Sequence, residues 1–168
     1  MVFQMNWFIK ISGTPYNTGS MGSLYHGSNK ILGKFDLSFS GARDWGDYGL
    51  GVYLSPSSGL AKMYAEEAVK ADGGTPVIHV VKADLKNMAT EEELFETIRE
   101  LNIPVDKDTK INEEGKQTRP EIDSRSIASR MQEKGFDSAK VRTEVVVYDP
   151  EVLTIVRNVP ADKAYLLP

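Results

Sequence analysis

Tyr25-His26-Gly27-Ser28 is the first of four short motifs that decide how this chain folds. The other three follow in the order Gly49-Leu50-Gly51-Val52-Tyr53-Leu54-Ser55, Ala61-Lys62-Met63-Tyr64-Ala65 and Thr143-Glu144-Val145-Val146-Val147-Tyr148-Asp149-Pro150. Together they supply one histidine, two tyrosines and one glutamate whose side chains are candidates for binding or catalysis. Each motif alone is weakly specific, whereas the ordered set of four is a specific pattern.

Local patterns assign an element to each motif. The first and second motifs predict short strands over 24–27 and 51–54, the third predicts a helix over 58–71, and the last predicts a strand over 144–148. Between them we expect further strands over 76–85, 136–140 and 152–157 and further helices over 91–101 and 124–133. A Thr90-x-x-Glu93 capping box begins the first of these two helices. We expect long loops over 29–48 and 104–120.

Helices and short strands alternate irregularly along the chain, which favours an α+β domain over a doubly wound parallel sheet. The glycines of Gly49-x-Gly51 precede a strand, whereas a Rossmann dinucleotide fingerprint requires a helix there. Residues 1–22 are turn-rich near their end and are interpreted as a lead-in segment, so the folded domain is expected over 23–168.

The composition excludes several classes of protein. The 168 residues carry 20 Lys and Arg against 24 Asp and Glu, a net charge of −4, which argues against an extended basic surface for nucleic acid. With two histidines and no cysteine, we expect neither disulfides nor a metal site. No apolar run is long enough for a membrane helix and no signal-peptide pattern opens the sequence, so we expect a cytoplasmic protein.

The four motifs resemble those of the ADP-ribosyltransferases, in the branch of poly-ADP-ribose polymerases and diphtheria toxin with a His-Tyr-Glu active site. The resemblance is strongest to small bacterial and phage members, including domains of phage polyvalent proteins, and covers residues 23–157. It implies two packed mixed β-sheets that form an NAD cleft with flanking helices. It also makes residues 23–168 the catalytic domain, with NAD as co-substrate.

The resemblance implies a role for each motif residue. Gly27 presents its backbone N–H and C=O to the nicotinamide carboxamide, and His26 hydrogen-bonds the adenosine ribose. Tyr53 and Tyr64 flank the nicotinamide ring. The remaining expected NAD-binding residues are Ser28, Ser55 and Arg43, the last by pairing with the pyrophosphate from the loop over the cleft.

Glu144 is the expected catalytic residue, with His26 and Tyr53 beside it. As nicotinamide leaves, positive charge develops on the ribose, much as in glycoside hydrolysis. A carboxylate that holds the 2′-hydroxyl binds more strongly as that charge grows, so it stabilises the transition state specifically.

Two positions depart from the family pattern. Ala61 replaces the serine that helps bind the carboxamide in the polymerases. Arg142 stands two residues before Glu144, where arginine-modifying toxins carry Glu or Gln, which disfavours an arginine acceptor. Lys140 and Arg142 together offer a small positive spot beside Glu144.

The motif residues also have structural interpretations. His26 at a strand end, Tyr53 in a strand and Tyr64 on a helix face are all compatible with ordinary packing, and Glu144 with a charged strand edge. His79 lies in an apolar strand without a motif and is interpreted as structural or half-exposed.

We expect transfer of a single ADP-ribose from NAD to a macromolecule, with a protein as the expected acceptor. The resemblance further implies a toxin or effector, which would act in the host cytoplasm if it is encoded by a phage. Three alternatives stay open: an NAD glycohydrolase, modification of a nucleic acid, and a catalytically silent binding module. The segment 137–143 before Glu144 is expected to present the acceptor as a loop.

Overall fold

The computed structural model describes residues 22–39, 47–103, 110–111, 117–118 and 123–168. The strands in these ranges are β1 (Leu24–Ser28), β2 (Val52–Leu54), β3 (Val77–Ala83), β4 (Met88–Ala89), β5 (Lys110–Ile111), β6 (Gln117–Thr118), β7 (Ser138–Val141), β8 (Glu144–Val147) and β9 (Leu153–Pro160). The α-helices are α1 (Ser58–Asp72), α2 (Glu91–Glu100) and α3 (Ser124–Glu133), and 3-10 turns cover Leu37–Phe39, Pro150–Val152 and Ala161–Leu166.

Local side-chain caps explain where the helices begin. The Ser57 hydroxyl accepts from the Leu60 N–H at the start of α1, and the Asp123 carboxylate accepts from the Ser126 N–H at the start of α3. The capping box of Thr90 and Glu93 is present in both directions at the start of α2. These bonds satisfy N–H groups that have no partner inside a helix, and they confirm the three predicted helices.

Two sheets form the body of the molecule. The first has the order β1-β3-β9 and is antiparallel throughout its described strands. The second has the order β2-β8-β7-β4 and is mixed, because β4 runs parallel to β7. A small ladder pairs β5 with β6 inside the segment expected to be loop. The predicted α+β architecture with two sheets and flanking helices is confirmed.

Three apolar clusters hold these layers together. One lies between the sheets and includes Leu24, Val81, Val145 and Val147. A second packs α1 and the last 3-10 turn against the outer face of the first sheet. The third packs α2 and α3 against the second sheet. Burial of this apolar surface is the main stabilising contribution.

Candidate active site

Within the described residues, one isolated bridge joins β1 of the first sheet to β2 of the second. Tyr25 and Ser55 exchange both backbone hydrogen bonds, at 2.7 and 2.9 Å. If this antiparallel register continued, Gly27 would pair with Tyr53, but β1 and β2 diverge instead. The first and second sequence motifs therefore face each other across the split between the sheets.

The His26 imidazole bridges this split. Its Nδ1 lies 2.9 Å from the backbone oxygen of Tyr53. A carbonyl only accepts, so Nδ1 carries the hydrogen. Burial lowers the pKa of His26 to about 4, an effect opposed by the bond to Tyr53 and reinforced by nearby His79. The ring is therefore neutral near pH 7 and leaves Nε2, which has no protein partner among the described residues, as an acceptor for a ligand hydroxyl.

Gly27 carries backbone polar groups that face the split. Residues along an antiparallel strand alternate in the direction of their N–H and C=O groups. Because those of Tyr25 point to β2, those of Gly27 point the same way, away from β3, and no backbone partner within the described ranges meets them. A free N–H beside a free C=O matches the two hydrogen-bonding groups of a carboxamide.

Gly27 is also required by packing against α1. A Cβ on Gly27 would lie 1.9 Å from the Ala61 backbone oxygen and 2.7 Å from the Ala65 nitrogen. The resemblance already implies that the backbone of this glycine contacts the ligand. The structure adds a second reason, because only a missing side chain lets the helix lie directly on β1.

Tyr53 and Glu144 share one face of the second sheet. Tyr53 is opposite Val146 in the ladder, and Glu144 follows two positions away on the same face. The Tyr53 hydroxyl donates to the Gly49 oxygen at 2.9 Å and accepts from the Tyr48 N–H at 3.3 Å. These bonds to the Gly49 loop hold the half-buried ring of Tyr53 in place.

Tyr64 connects α1 to Glu144. Its hydroxyl donates to the Glu144 Oε2 at 3.3 Å, although 80 residues separate the two in sequence. The Tyr64 side chain is 36% exposed. The third and fourth motifs thus meet directly at the mouth of the split, while Ala61, one turn earlier on α1, is fully buried against β1 and offers no side-chain hydrogen bond.

The other expected NAD-binding residues occupy different positions. The Ser28 hydroxyl lies 2.7 Å from His79 Nε2 and donates to the Lys30 oxygen. Ser55 is buried, and its hydroxyl accepts from the Ser57 N–H below the start of α1. Arg43 falls outside the described residues, as does nearly all of the lead-in segment 1–22.

The segment before Glu144 corrects one expectation. Residues 138–141 form β7, and Val141 pairs with Glu144, so only Arg142 and Thr143 form the turn. The Arg142 backbone is left-handed, with φ of 54°, and its N–H donates to Glu91 Oε2. The predicted acceptor-presenting loop over 137–143 is wrong, because strand pairing uses most of its residues.

The register also separates Lys140 from Glu144. Lys140 is opposite Val145, whereas Glu144 is opposite Val141, so the two side chains leave opposite faces of the sheet. The positive spot expected beside Glu144 is therefore reduced to Arg142.

His79, which the sequence analysis interpreted as structural or half-exposed, lies next to the site. It is fully buried and is the cross-strand partner of His26. The ring centroids of His79, His26 and Phe35 lie within 6.4 Å of one another. The available signal was a histidine inside the continuous apolar run Val77-Ile78-His79-Val80-Val81, because a buried polar group requires partners.

Two other kinds of feature are absent from the described ranges. No group of three or more acidic or histidine side chains there is arranged to hold a metal ion. None of the described helices is long and apolar enough to cross a membrane.

Comparison with known proteins identifies the family to which the chain belongs. A family model described as ADP-ribosyltransferase in polyvalent proteins matches residues 17–159. Among solved structures, the chain is similar to a chain from the crystal structure of the M. tuberculosis MbcT-MbcA toxin-antitoxin complex, with 12% identity, 86% of this chain and 87% of that chain covered, and a TM-score of 0.49. No curated protein matches the sequence. Because the family model spans all four motifs and most of the chain, the protein belongs to the ADP-ribosyltransferases of polyvalent proteins.

Proposed function

We propose that this protein transfers a single ADP-ribose from NAD to a macromolecular acceptor, with release of nicotinamide. The observation that carries the proposal is the juxtaposition at the split. The backbone groups of Gly27, which meet no backbone partner in the described part of the chain, lie beneath α1, and α1 brings Tyr64 to Glu144. In this proposal residues 23–168 form the catalytic domain, as the family match supports.

In the proposed complex, the nicotinamide carboxamide bonds to the N–H and C=O of Gly27. The ring then lies near Tyr64 and Tyr53. A pyridinium against an aromatic face gains roughly 0.5–2 kcal/mol. Nε2 of the neutral His26 ring accepts a hydrogen bond from a hydroxyl of the adenosine ribose. Ser28 and Ser55 support the site, and Arg43 remains the proposed pyrophosphate contact.

Glu144 supplies the chemistry. Its carboxylate accepts a hydrogen bond from the 2′-hydroxyl of the nicotinamide ribose. It thereby stabilises the positive charge that appears on the ribose as the glycosidic bond breaks. The Tyr64 hydroxyl holds Oε2 from the side of α1. Nicotinamide leaves with the bonding electron pair, which neutralises its ring, and the acceptor nucleophile then attacks the sugar cation and loses its proton.

NAD hydrolysis is the second candidate function, and the short turn before Glu144 favours it. Only Arg142 and Thr143 lie between β7 and β8, so this turn offers little surface to hold a macromolecule. Water would then take the place of the acceptor.

Modification of a nucleic acid is disfavoured by the net charge of −4 and by the position of Lys140 on the far face of the sheet. A silent binding module would have no need of the Tyr64–Glu144 contact.

The test is incubation with NAD labelled in its adenosine part, with and without a bacterial lysate, while released nicotinamide is measured. We expect nicotinamide release and labelled macromolecules, as befits a cytoplasmic effector or toxin. Glu144→Gln should fold normally and lose at least about 100-fold in rate. Label recovered only as free ADP-ribose would identify the hydrolase, and full activity of Glu144→Gln would refute the mechanism.

Label on nuclease-sensitive material would instead identify a nucleic acid acceptor. Binding of NAD without any nicotinamide release by the unaltered protein would identify the silent module.

A further inference from the structure

The buried His79 lies at the centre of a hydrogen-bonded chain that crosses the first sheet. Its Nδ1 lies 2.6 Å from the side-chain oxygen Oδ1 of Asn158 on β9, and its Nε2 lies 2.7 Å from the Ser28 hydroxyl at the end of β1. Ser28 in turn contacts the Lys30 backbone oxygen at 2.5 Å. Three strands and the segment that leaves β1 are thus joined through one side chain.

The positions of the hydrogens follow from the chemistry of the partners. The Asn158 Oδ1 atom only accepts, so His79 donates to it through Nδ1–H. Burial lowers the pKa of His79, an effect opposed by its bonds to Asn158 and to the Lys30 backbone, so the ring is neutral near pH 7. Nε2 of the neutral ring is therefore an acceptor, and the Ser28 hydroxyl lies 2.7 Å from it.

This chain of bonds uses the hydrogen-bonding capacity of Ser28. The hydroxyl contacts both His79 Nε2 and the Lys30 oxygen, and it lies 3.4 Å from the Lys30 N–H. It therefore serves the site by fixing the backbone rather than by offering a free hydroxyl to a ligand.

The fixed backbone is the part of the chain that the NAD site uses. Ser28 directly follows Gly27, whose N–H and C=O face the split, and Lys30 begins the segment that leads to Phe35. The buried Phe35 ring meets His26 edge-on at 5.2 Å and His79 at 6.4 Å. A change at His79 is thus transmitted to both the carboxamide-binding groups and the surroundings of His26.

We propose that His79 is a positioning residue of the NAD site: through the contact of its Nε2 with Ser28 it sets the path of the chain leaving β1, and so the direction in which Gly27 presents its N–H and C=O. This inference rests on the proposed function. It assigns to His79 a task in substrate binding beyond filling the interior.

Two conservative variants separate the two ends of the imidazole. The amide of His79→Gln reaches the position of Nε2 and can still form a hydrogen bond with Ser28. The shorter His79→Asn reaches only the position of Nδ1 and leaves Ser28 without this bond. Each variant loses one link of a buried network, so a merely structural role predicts similar losses for both.

The measurement is the Kd of NAD by calorimetry, with each variant made in the Glu144→Gln chain so that NAD is not consumed. We expect His79→Gln to bind NAD within about threefold of its parent and His79→Asn to bind at least about tenfold more weakly, a loss of the size of one hydrogen bond. Thr97→Val is the matched control, since it removes a buried hydroxyl that bonds within α2 and to Lys134. It should lower the thermal midpoint without changing the Kd.

Equal effects of His79→Gln and His79→Asn on the Kd, including no effect of either, would overturn the inference while leaving the proposed function intact. Failure of the unaltered protein to release nicotinamide would instead refute the function.

Discussion

At the scale of single residues, several side chains of this site have two tasks. The Tyr64 ring is placed to stack on nicotinamide, while its hydroxyl bonds to Glu144. The His26 imidazole holds the Tyr53 carbonyl through Nδ1 and offers Nε2 to a ligand. Variants that remove one task and keep the other are therefore more informative than alanine substitutions.

Tyr64→Phe keeps the ring and removes the hydroxyl that holds Glu144. Because the carboxylate acts mainly in the transition state, we expect kcat for nicotinamide release to fall about 3- to 10-fold with little change in KM. Tyr64→Ala should raise KM as well, since stacking is lost. Steady-state kinetics with varied NAD measures both constants.

The exposed Tyr165 provides the matched control, because Tyr165→Phe removes a phenol hydroxyl outside the site. It should leave both constants unchanged. An unchanged kcat in Tyr64→Phe would show that the phenol does not orient the carboxylate.

At the scale of elements, the close approach of α1 to β1 builds the nicotinamide end of the cleft. The helix faces β1 with Ala61 and Ala65, one turn apart and fully buried, and β1 faces the helix with Gly27. Small residues on both sides bring the two backbones together. This approach places Tyr64 within reach of Glu144 on the second sheet.

Gly27→Ala tests this packing. The added methyl group would lie 1.9 Å from a backbone oxygen, so α1 must move away from β1. We expect the free energy of unfolding in urea to fall by about 1–3 kcal/mol, as for other overpacked sites, and NAD binding to weaken. Gly33→Ala is the control, because its Cβ would meet no atom within 4 Å. Equal stability of the two variants would contradict the packing argument.

At the scale of the whole molecule, the two sheets enclose both histidines at the edge of an apolar interior. The folded protein holds His26 and His79 with lowered pKa values, chiefly through burial. The unfolded chain binds protons at these groups from about pH 6.5 downwards. Stability from both groups is therefore present above that pH and is lost as the pH falls towards the folded pKa.

The free energy of unfolding should fall between pH 7 and pH 5. For His26, whose folded pKa is about 4, the loss over this range is expected to be about 1–2 kcal/mol, allowing for its partial exposure. His26→Asn retains an N–H donor for Tyr53 but does not titrate, so it should reduce the pH dependence by that amount. Urea unfolding at the two pH values measures the effect, and identical losses in both proteins would contradict the assignment.

Much of the local structure follows from the sequence by itself. The capping box of Thr90 and Glu93 predicted the start of α2, because this interaction joins residues three positions apart. The four motifs and their order predicted the family and the fold for a similar reason: each motif is a contiguous string whose local conformation is limited.

Only the tertiary structure decided which residues meet. The register of β1 and β3 places His79 opposite His26, the packing of α1 gives Gly27 its second task, and the pairing of β7 with β8 replaces the expected acceptor loop with a two-residue turn. Gly27, His79 and Glu144 owe their neighbours to strand pairing and helix packing between segments up to 80 residues apart. Such register depends on how whole faces bury their apolar side chains, and no short stretch of sequence contains that information.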